Sequence, residues 1–146
     1  MSERTGGCMC GAVRFTARKV PDEFGACHCE MCRRWTGSAF LGTSVPRDSV
    51  TWEGEAQIRT LQSSDWAERA WCGRCGTPLY YHVTADGPLK DDYEIPVGLF
   101  DDANGLTMTS EIFIDQKPDS FAYTGDHNLM TRAEVLKKYG VSLDGE

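Results

Sequence analysis

A chain of 146 residues, 25% charged and 40% hydrophobic, fits one globular domain and excludes wholesale disorder, collagen-like sequence and low-complexity structure. Fifteen Lys and Arg against 22 Asp and Glu leave a net charge of -7, a poor electrostatic match for a polyphosphate backbone, so nucleic acid is not an expected partner. No apolar run approaches the ~20 residues that span a bilayer, and the opening Met1-Ser2-Glu3-Arg4-Thr5-Gly6-Gly7 lacks the apolar stretch of a secretory signal; the expectation is a cytoplasmic protein with no membrane partner and an oligomeric state the sequence leaves open.

In chain order, Val13 and Phe15 alternate with Arg14 and Thr16, as a half-buried strand requires. A short helix is expected from Glu30 to Thr36, stopped by Gly37 and beginning inside a cysteine cluster. Strand-like runs recur at 38–45, 50–53, 58–62, 93–100 and 107–114, separated by scattered Gly and Pro. Near the end, Thr131-Arg132-Ala133-Glu134 has capping-box spacing, Val135, Leu136 and Tyr139 supply an apolar face, and Gly140 stands where a C-cap belongs. This reads as a packing helix with no chemistry in it. The reading is a mainly β single domain over 1–146, built of small antiparallel sheets with a short helix after the cysteine triplet and a C-terminal helix.

The anomaly is seven Cys, an odd number that cannot pair completely and that favours thiolate or metal chemistry over a disulfide framework. They fall into a C-x-C pair, Cys8-Met9-Cys10-Gly11, a triplet, Cys27-His28-Cys29-Glu30-Met31-Cys32, and a C-x-x-C-G turn, Cys72-Gly73-Arg74-Cys75-Gly76. The last is a zinc-knuckle pattern, which supplies two ligands where a closed structural zinc needs four. If Cys8 and Cys10 complete it, Cys27, Cys29 and Cys32 remain as a three-thiolate set with an open position, the division between structural and catalytic zinc. Joining the triplet to the knuckle would crowd five thiolates on one ion. The C-x-C pair must bend, because i and i+2 side chains of a straight strand lie ~6.6 Å apart. The triplet also admits a redox reading through Cys29 and Cys32, or an iron–sulfur ligand set.

His28, between two proposed ligands, could itself be a ligand, but is read in preference as a hydrogen-bonding neighbour or an exposed side chain, and His82 and His127 as structural or surface histidines. Arg33 and Arg34 follow the triplet and are candidates for holding an anionic substrate. Trp35, Phe40, Trp52, Trp66 and Trp71 are assigned to the core.

The order Gly7-Cys8-Met9-Cys10-Gly11-Ala12-Val13-Arg14-Phe15, then Cys27-His28-Cys29 and Cys32-Arg33-Arg34 with Gly37-Ser38-Ala39-Phe40, then Ser63-Ser64, then Cys72 and Cys75-Gly76-Thr77-Pro78-Leu79, resembles the glutathione-dependent formaldehyde-activating enzyme family, which includes centromere-protein-V-like proteins. The resemblance covers about residues 6–126. It implies a β-tent of small antiparallel sheets stapled by zinc, with Cys8, Cys10, Cys72 and Cys75 as structural ligands and Cys27, Cys29 and Cys32 as the catalytic set. Two Zn2+ sites are expected, the second labile or empty. The implied activity is that of a carbon–sulfur lyase, the S-hydroxymethylglutathione synthase type, joining a small anionic thiol such as glutathione to a small aldehyde such as formaldehyde. The chain departs from the family at Ser110, where a His is common, and at Phe121, where a Trp is usual. The rival readings are a non-catalytic zinc-stabilised binding module and a thiol–disulfide redox protein.

Overall fold

The computed structural model describes residues 1–140. Eleven strands run in chain order as β1 (Ser2–Gly7), β2 (Arg14–Val20), β3 (Glu23–Cys27), β4 (Phe40–Pro46), β5 (Val50–Glu53), β6 (Ile58–Gln62), β7 (Ala67–Cys72), β8 (Pro78–Val83), β9 (Asp92–Pro96), β10 (Thr107–Ile112) and β11 (Asn128–Met130). The two helices are α1 (Glu30–Thr36) and α2 (Arg132–Tyr139). The architecture is mainly β, as the short alternating runs predict.

One sheet is three-stranded and antiparallel, in the order β1-β2-β5. Its alternation is clean on β2, where Phe15 and Ala17 face inward between half-exposed neighbours. The other sheet has eight strands in the order β11-β10-β3-β4-β9-β8-β7-β6. It is antiparallel except at one end, where β10 runs parallel to both β3 and β11. The expectation of antiparallel sheets throughout is corrected here. Parallel neighbours need a long return connection, and the chain supplies one: α1 and strands β4 to β9 lie between β3 and β10.

Two apolar cores result. The larger gathers Cys8, Val13, Phe15, Val20, Val45, Cys72, Leu79, Ile95 and Phe100 between the two sheets, with Trp52 packed against Phe15 at 5.3 Å between ring centroids. Side chains such as Leu79 and Ile95 are fully buried, each worth about 1.5–3 kcal/mol. The smaller core gathers Cys29, Cys32, Phe40, Phe113 and Val135, with Trp35 and Tyr81 alongside. Each core thus has cysteines in its wall.

α1 begins at Cys29, whose Sγ accepts from the Cys32 N–H at 3.3 Å, and ends at Gly37, whose N–H donates to Arg33 O at 2.8 Å. α2 carries the expected capping box between Thr131 and Glu134 and the expected Gly140 cap. It packs through Val135 into the smaller core, as expected, and Val135, Leu136, Lys138 and Tyr139 also form part of a cleft wall. No helix among the described residues is long and apolar enough to cross a membrane.

Candidate metal centres and the cleft

Seven free thiols assemble into two clusters, Cys8 with Cys10, Cys72 and Cys75, and Cys27 with Cys29 and Cys32, each with its sulfurs within 4.8 Å of one another. This is the four-plus-three partition expected from coordination arithmetic.

The four-thiol cluster sits where the two sheets meet. Cys8 and Cys10 leave the end of β1, and Cys72 and Cys75 leave the end of β7. The first pair bends as required: Gly11 N–H donates to Cys8 O at 3.2 Å, and the Cys8 and Cys10 sulfurs come to 3.6 Å. Gly11 (φ 80°) and Gly76 (φ 83°) make the two turns in the left-handed region, where a side chain is disfavoured. Thr77 knits the turns together, its Oγ1 accepting from Met9 N–H at 3.1 Å and lying 3.2 Å from Cys75 Sγ. Hydrogen bonding from Thr77, side chain first, draws the Cys75 thiol down to about 5.

A metal fits this donor set. Two thiolates on a tetrahedral zinc with ~2.3 Å bonds stand ~3.8 Å apart, and the Cys8–Cys10 and Cys10–Cys72 separations are 3.6 and 3.9 Å. These distances lie far outside disulfide bonding.

The three-thiol cluster lies at the end of β3 and the start of α1. Its sulfurs share hydrogen bonds, with opposite effects on the members. Bonds from Cys27 and Cys32, and after them the Cys32 N–H and the Arg69 charge, outweigh burial and draw Cys29 far down. Hydrogen bonding to Cys29 and Cys32, and then burial, push Cys27 well up. Three soft sulfur donors converging on one point suit a zinc ion and leave one tetrahedral position unfilled.

The two clusters differ in access. Cys27, Cys29 and Cys32 line a cleft of about 730 Å3, and none of Cys8, Cys10, Cys72 and Cys75 does. Its walls come from β3, β4, β7, β8, β9, β10 and α2, with Phe40, Trp66, Tyr81, Ile112 and Phe113 among the apolar residues. Ser63 and Ser64, part of the motif order noted above, also line it, as does Trp66. Among the acidic residues in the lining is Glu94, whose carboxyl burial pushes up against the hydrogen bond from Ser44.

Arg33 and Arg34 do not reach this cleft. Both are exposed; Arg34 Nε donates to Glu30 Oε1 at 2.9 Å, and Arg33 shares a shallow surface depression with Glu30 and Gln116. Successive helical residues turn by about 100°, so the step from Cys32 to Arg33 carries the side chain away from the thiol face. The cationic side chain nearest the triplet is Arg69 on β7, which adjacency in the sequence does not reveal. Trp66 and Phe40 also line the cleft rather than serving the core alone.

His28 is neither exposed nor turned toward the sulfurs. It is 1% exposed and donates from Nε2 to Glu111 Oε1 at 2.9 Å, while His127 donates from Nδ1 to Glu111 Oε2 at 2.9 Å. Burial opposes the Glu111 charge, but the bonds from His127 and His28 prevail and hold its carboxyl below the ordinary range. Tyr123 stacks on the His28 ring at 6.0 Å. Glu111 therefore ties the triplet loop to the segment that leads into β11. His82 is a structural histidine, bonded to Glu68 at 3.0 Å and to Lys90 O at 2.9 Å.

The sequence pattern of a family described as glutathione-dependent formaldehyde-activating enzyme matches residues 3–116. A Schizosaccharomyces pombe protein named as an uncharacterized lyase is 34% identical over 137 residues, spanning 94% of this chain and 97% of its own. A Halomonas elongata protein, provisionally named a glutathione-dependent formaldehyde-activating enzyme, is 33% identical over 85 residues, 51% of this chain and 53% of that protein. A crystal structure of a Rhodobacter sphaeroides protein superposes with a TM-score of 0.56 at 20% identity over 72% of this chain and 99% of the other, a likeness of fold.

Proposed function

This chain belongs to the glutathione-dependent formaldehyde-activating enzyme family, and from that premise we propose that it is a zinc-dependent enzyme of the carbon–sulfur lyase class. As a single zinc-binding domain of β-tent type, it joins a small glutathione-like thiol to a small aldehyde and catalyses the reverse cleavage. In the forward direction the thiol sulfur forms a bond to the carbonyl carbon, the carbonyl π pair moves to oxygen, and the oxygen ends with the proton that the thiol gave up. No oxidant or reductant is consumed.

One observation carries the reading. The three-donor cluster opens on a cleft of about 730 Å3, a volume in the range of small-molecule sites, and none of the four-donor cluster's residues lines that cleft. Cys8, Cys10, Cys72 and Cys75 would hold the structural zinc, and Cys27, Cys29 and Cys32 the catalytic one. Zinc bound at the triplet would supply positive charge that favours the thiolate form of an entering thiol.

The protein's own residues do the rest. Cys27 at the end of β3 and Cys29 and Cys32 at the start of α1 present three sulfurs to the end of the cleft. Phe40, Trp66, Tyr81, Ile112 and Phe113 exclude water from the reacting atoms, which strengthens every polar interaction among them. Glu111, through His28, fixes the backbone between Cys27 and Cys29.

The test combines metal analysis with an assay. Zinc-loaded protein should consume formaldehyde only when glutathione is present, and Cys29→Ser should lose at least about a hundredfold of that rate while keeping one zinc per chain. Absence of any thiol-dependent consumption would favour the binding-module reading. A mass loss of two hydrogens under mild peroxide, which is reduced to water as the disulfide forms, with no aldehyde chemistry, would favour the thiol–disulfide one.

A further inference from the structure

We propose that Arg69 is the specificity-determining residue of the cleft, its guanidinium receiving the negatively charged group of a ligand seated against Cys27, Cys29 and Cys32. This rests on the thiol-binding reading above and assigns the preference for an anionic ligand to a side chain remote in sequence from the triplet.

The side chain is 6% exposed, yet it lines the cleft. Its guanidinium carbon lies 4.9 Å from the ring centres of both Trp35 and Tyr81, which pack over the planar group. Along one edge the two terminal nitrogens lie 3.7 and 3.8 Å from Cys32 Sγ. Nε is buried without any hydrogen-bond partner. Among the described residues no carboxylate pairs with it.

A guanidinium carries five N–H donors in a fixed fork and never loses its charge. A buried, permanently charged fork whose only polar contact is the Cys32 sulfur, with Nε unbonded and no carboxylate paired to it among the described residues, keeps donor capacity for an anion brought in by a ligand. Its place beside Cys32 means that a ligand bound at the triplet meets it. The other cation in the lining, Lys138, is exposed on α2 and remains hydrated. The ligand class that fits is a small thiol carrying a carboxylate near its sulfur.

Calorimetry on the zinc-loaded protein with mercaptopropionate, mercaptoethanol and propionate separates the possibilities, with melting temperature and zinc content measured on every variant. Wild type should bind mercaptopropionate at least about tenfold more tightly than mercaptoethanol. Arg69→Met should erase that ratio, Arg69→Lys should keep part of it, and neither Lys138→Ala nor the Arg33→Ala/Arg34→Ala pair should change it. A ratio that survives Arg69→Met, or one that disappears in the Arg33→Ala/Arg34→Ala protein, overturns the assignment. If Arg69→Met does not fold, Arg69→Lys decides, because it keeps the charge and loses the fork: an unchanged ratio overturns the assignment. If wild type binds propionate but no thiol, and Arg69→Met does not bind propionate, the anion receptor stands and the thiol reading falls. If wild type binds none of the three, both fall.

Discussion

The two cysteine clusters use the same donor atom and differ in everything around it. Cys8, Cys10, Cys72 and Cys75 join the ends of β1 and β7, close their turns with Gly11, Gly76 and Thr77, and stand outside the cleft. Cys27, Cys29 and Cys32 have one donor fewer, a cleft in front, a buried guanidinium at the side and a carboxylate–imidazole network behind. Sulfur chemistry alone does not separate the two clusters; donor count and access do, and the proposed division into a structural and a reactive centre rests on those two differences.

The largest expected effect breaks the first half of that comparison. Cys75→Ser removes a donor from the cluster that joins the two sheets. Structural zinc binding is worth on the order of 10 kcal/mol, comparable to the whole stability of a small domain. The variant should be insoluble or molten by near-ultraviolet dichroism and should lose zinc, and a wild-type melting temperature with full zinc content would refute the assignment.

A smaller effect is expected from the triplet. Cys27→Ser, Cys29→Ser and Cys32→Ser should each cost at most one zinc per chain and shift the melting temperature by a few degrees, about 1–2 kcal/mol in a domain of this size. One of them abolishing folding as completely as Cys75→Ser would erase the distinction between the clusters.

The smallest effect sharpens the comparison on the four-thiol side. Asp101 accepts from both terminal nitrogens of Arg14, at 2.9 Å for one, and from the Thr5 hydroxyl at 2.7 Å. Those bonds, Arg14 first, draw its carboxyl down to about 2. A depressed carboxyl contributes stability above its unfolded pKa of ~3.9 and loses it as pH falls through the folded value. Wild type should therefore melt above Asp101→Asn by a margin that stays constant from about pH 8 to about pH 5, the range in which the carboxylate is ionised in the folded and unfolded chain alike and thiolate ligands keep a metal. A margin that shrinks within that range, or that is absent at pH 7, would remove Asp101 from the account.

How much of this was legible in the sequence follows the range of the interactions involved. The bounds of α1, the capping box of α2, and strands β5 and β6 match expectation, because caps and period-two alternation act within a few residues. β3 reads Glu23-Phe24-Gly25-Ala26-Cys27 and β7 reads Ala67-Glu68-Arg69-Ala70-Trp71-Cys72, with small residues where an alternating apolar set would announce a strand. Neither is recognisable locally, and both are held by neighbours on either side.

The candidate site divides in the same way. The four-plus-three partition followed from counting donors against the four places of a tetrahedral ion, and it needed no coordinates. Arg33 and Arg34 looked close to the triplet because sequence adjacency hides the turn of a helix. Arg69 stands 37 residues from Cys32, and its neighbours Trp35 and Tyr81 come from α1 and β8. The Glu111 link to His28 spans 83 residues. By itself the sequence determined that this chain gathers its thiols four and three, since ligand number is a property of the donors and of the ion they suit. Only the tertiary structure decided which cluster faces a cleft and which cation stands beside it, because access and charge depend on strands brought together across the length of the chain.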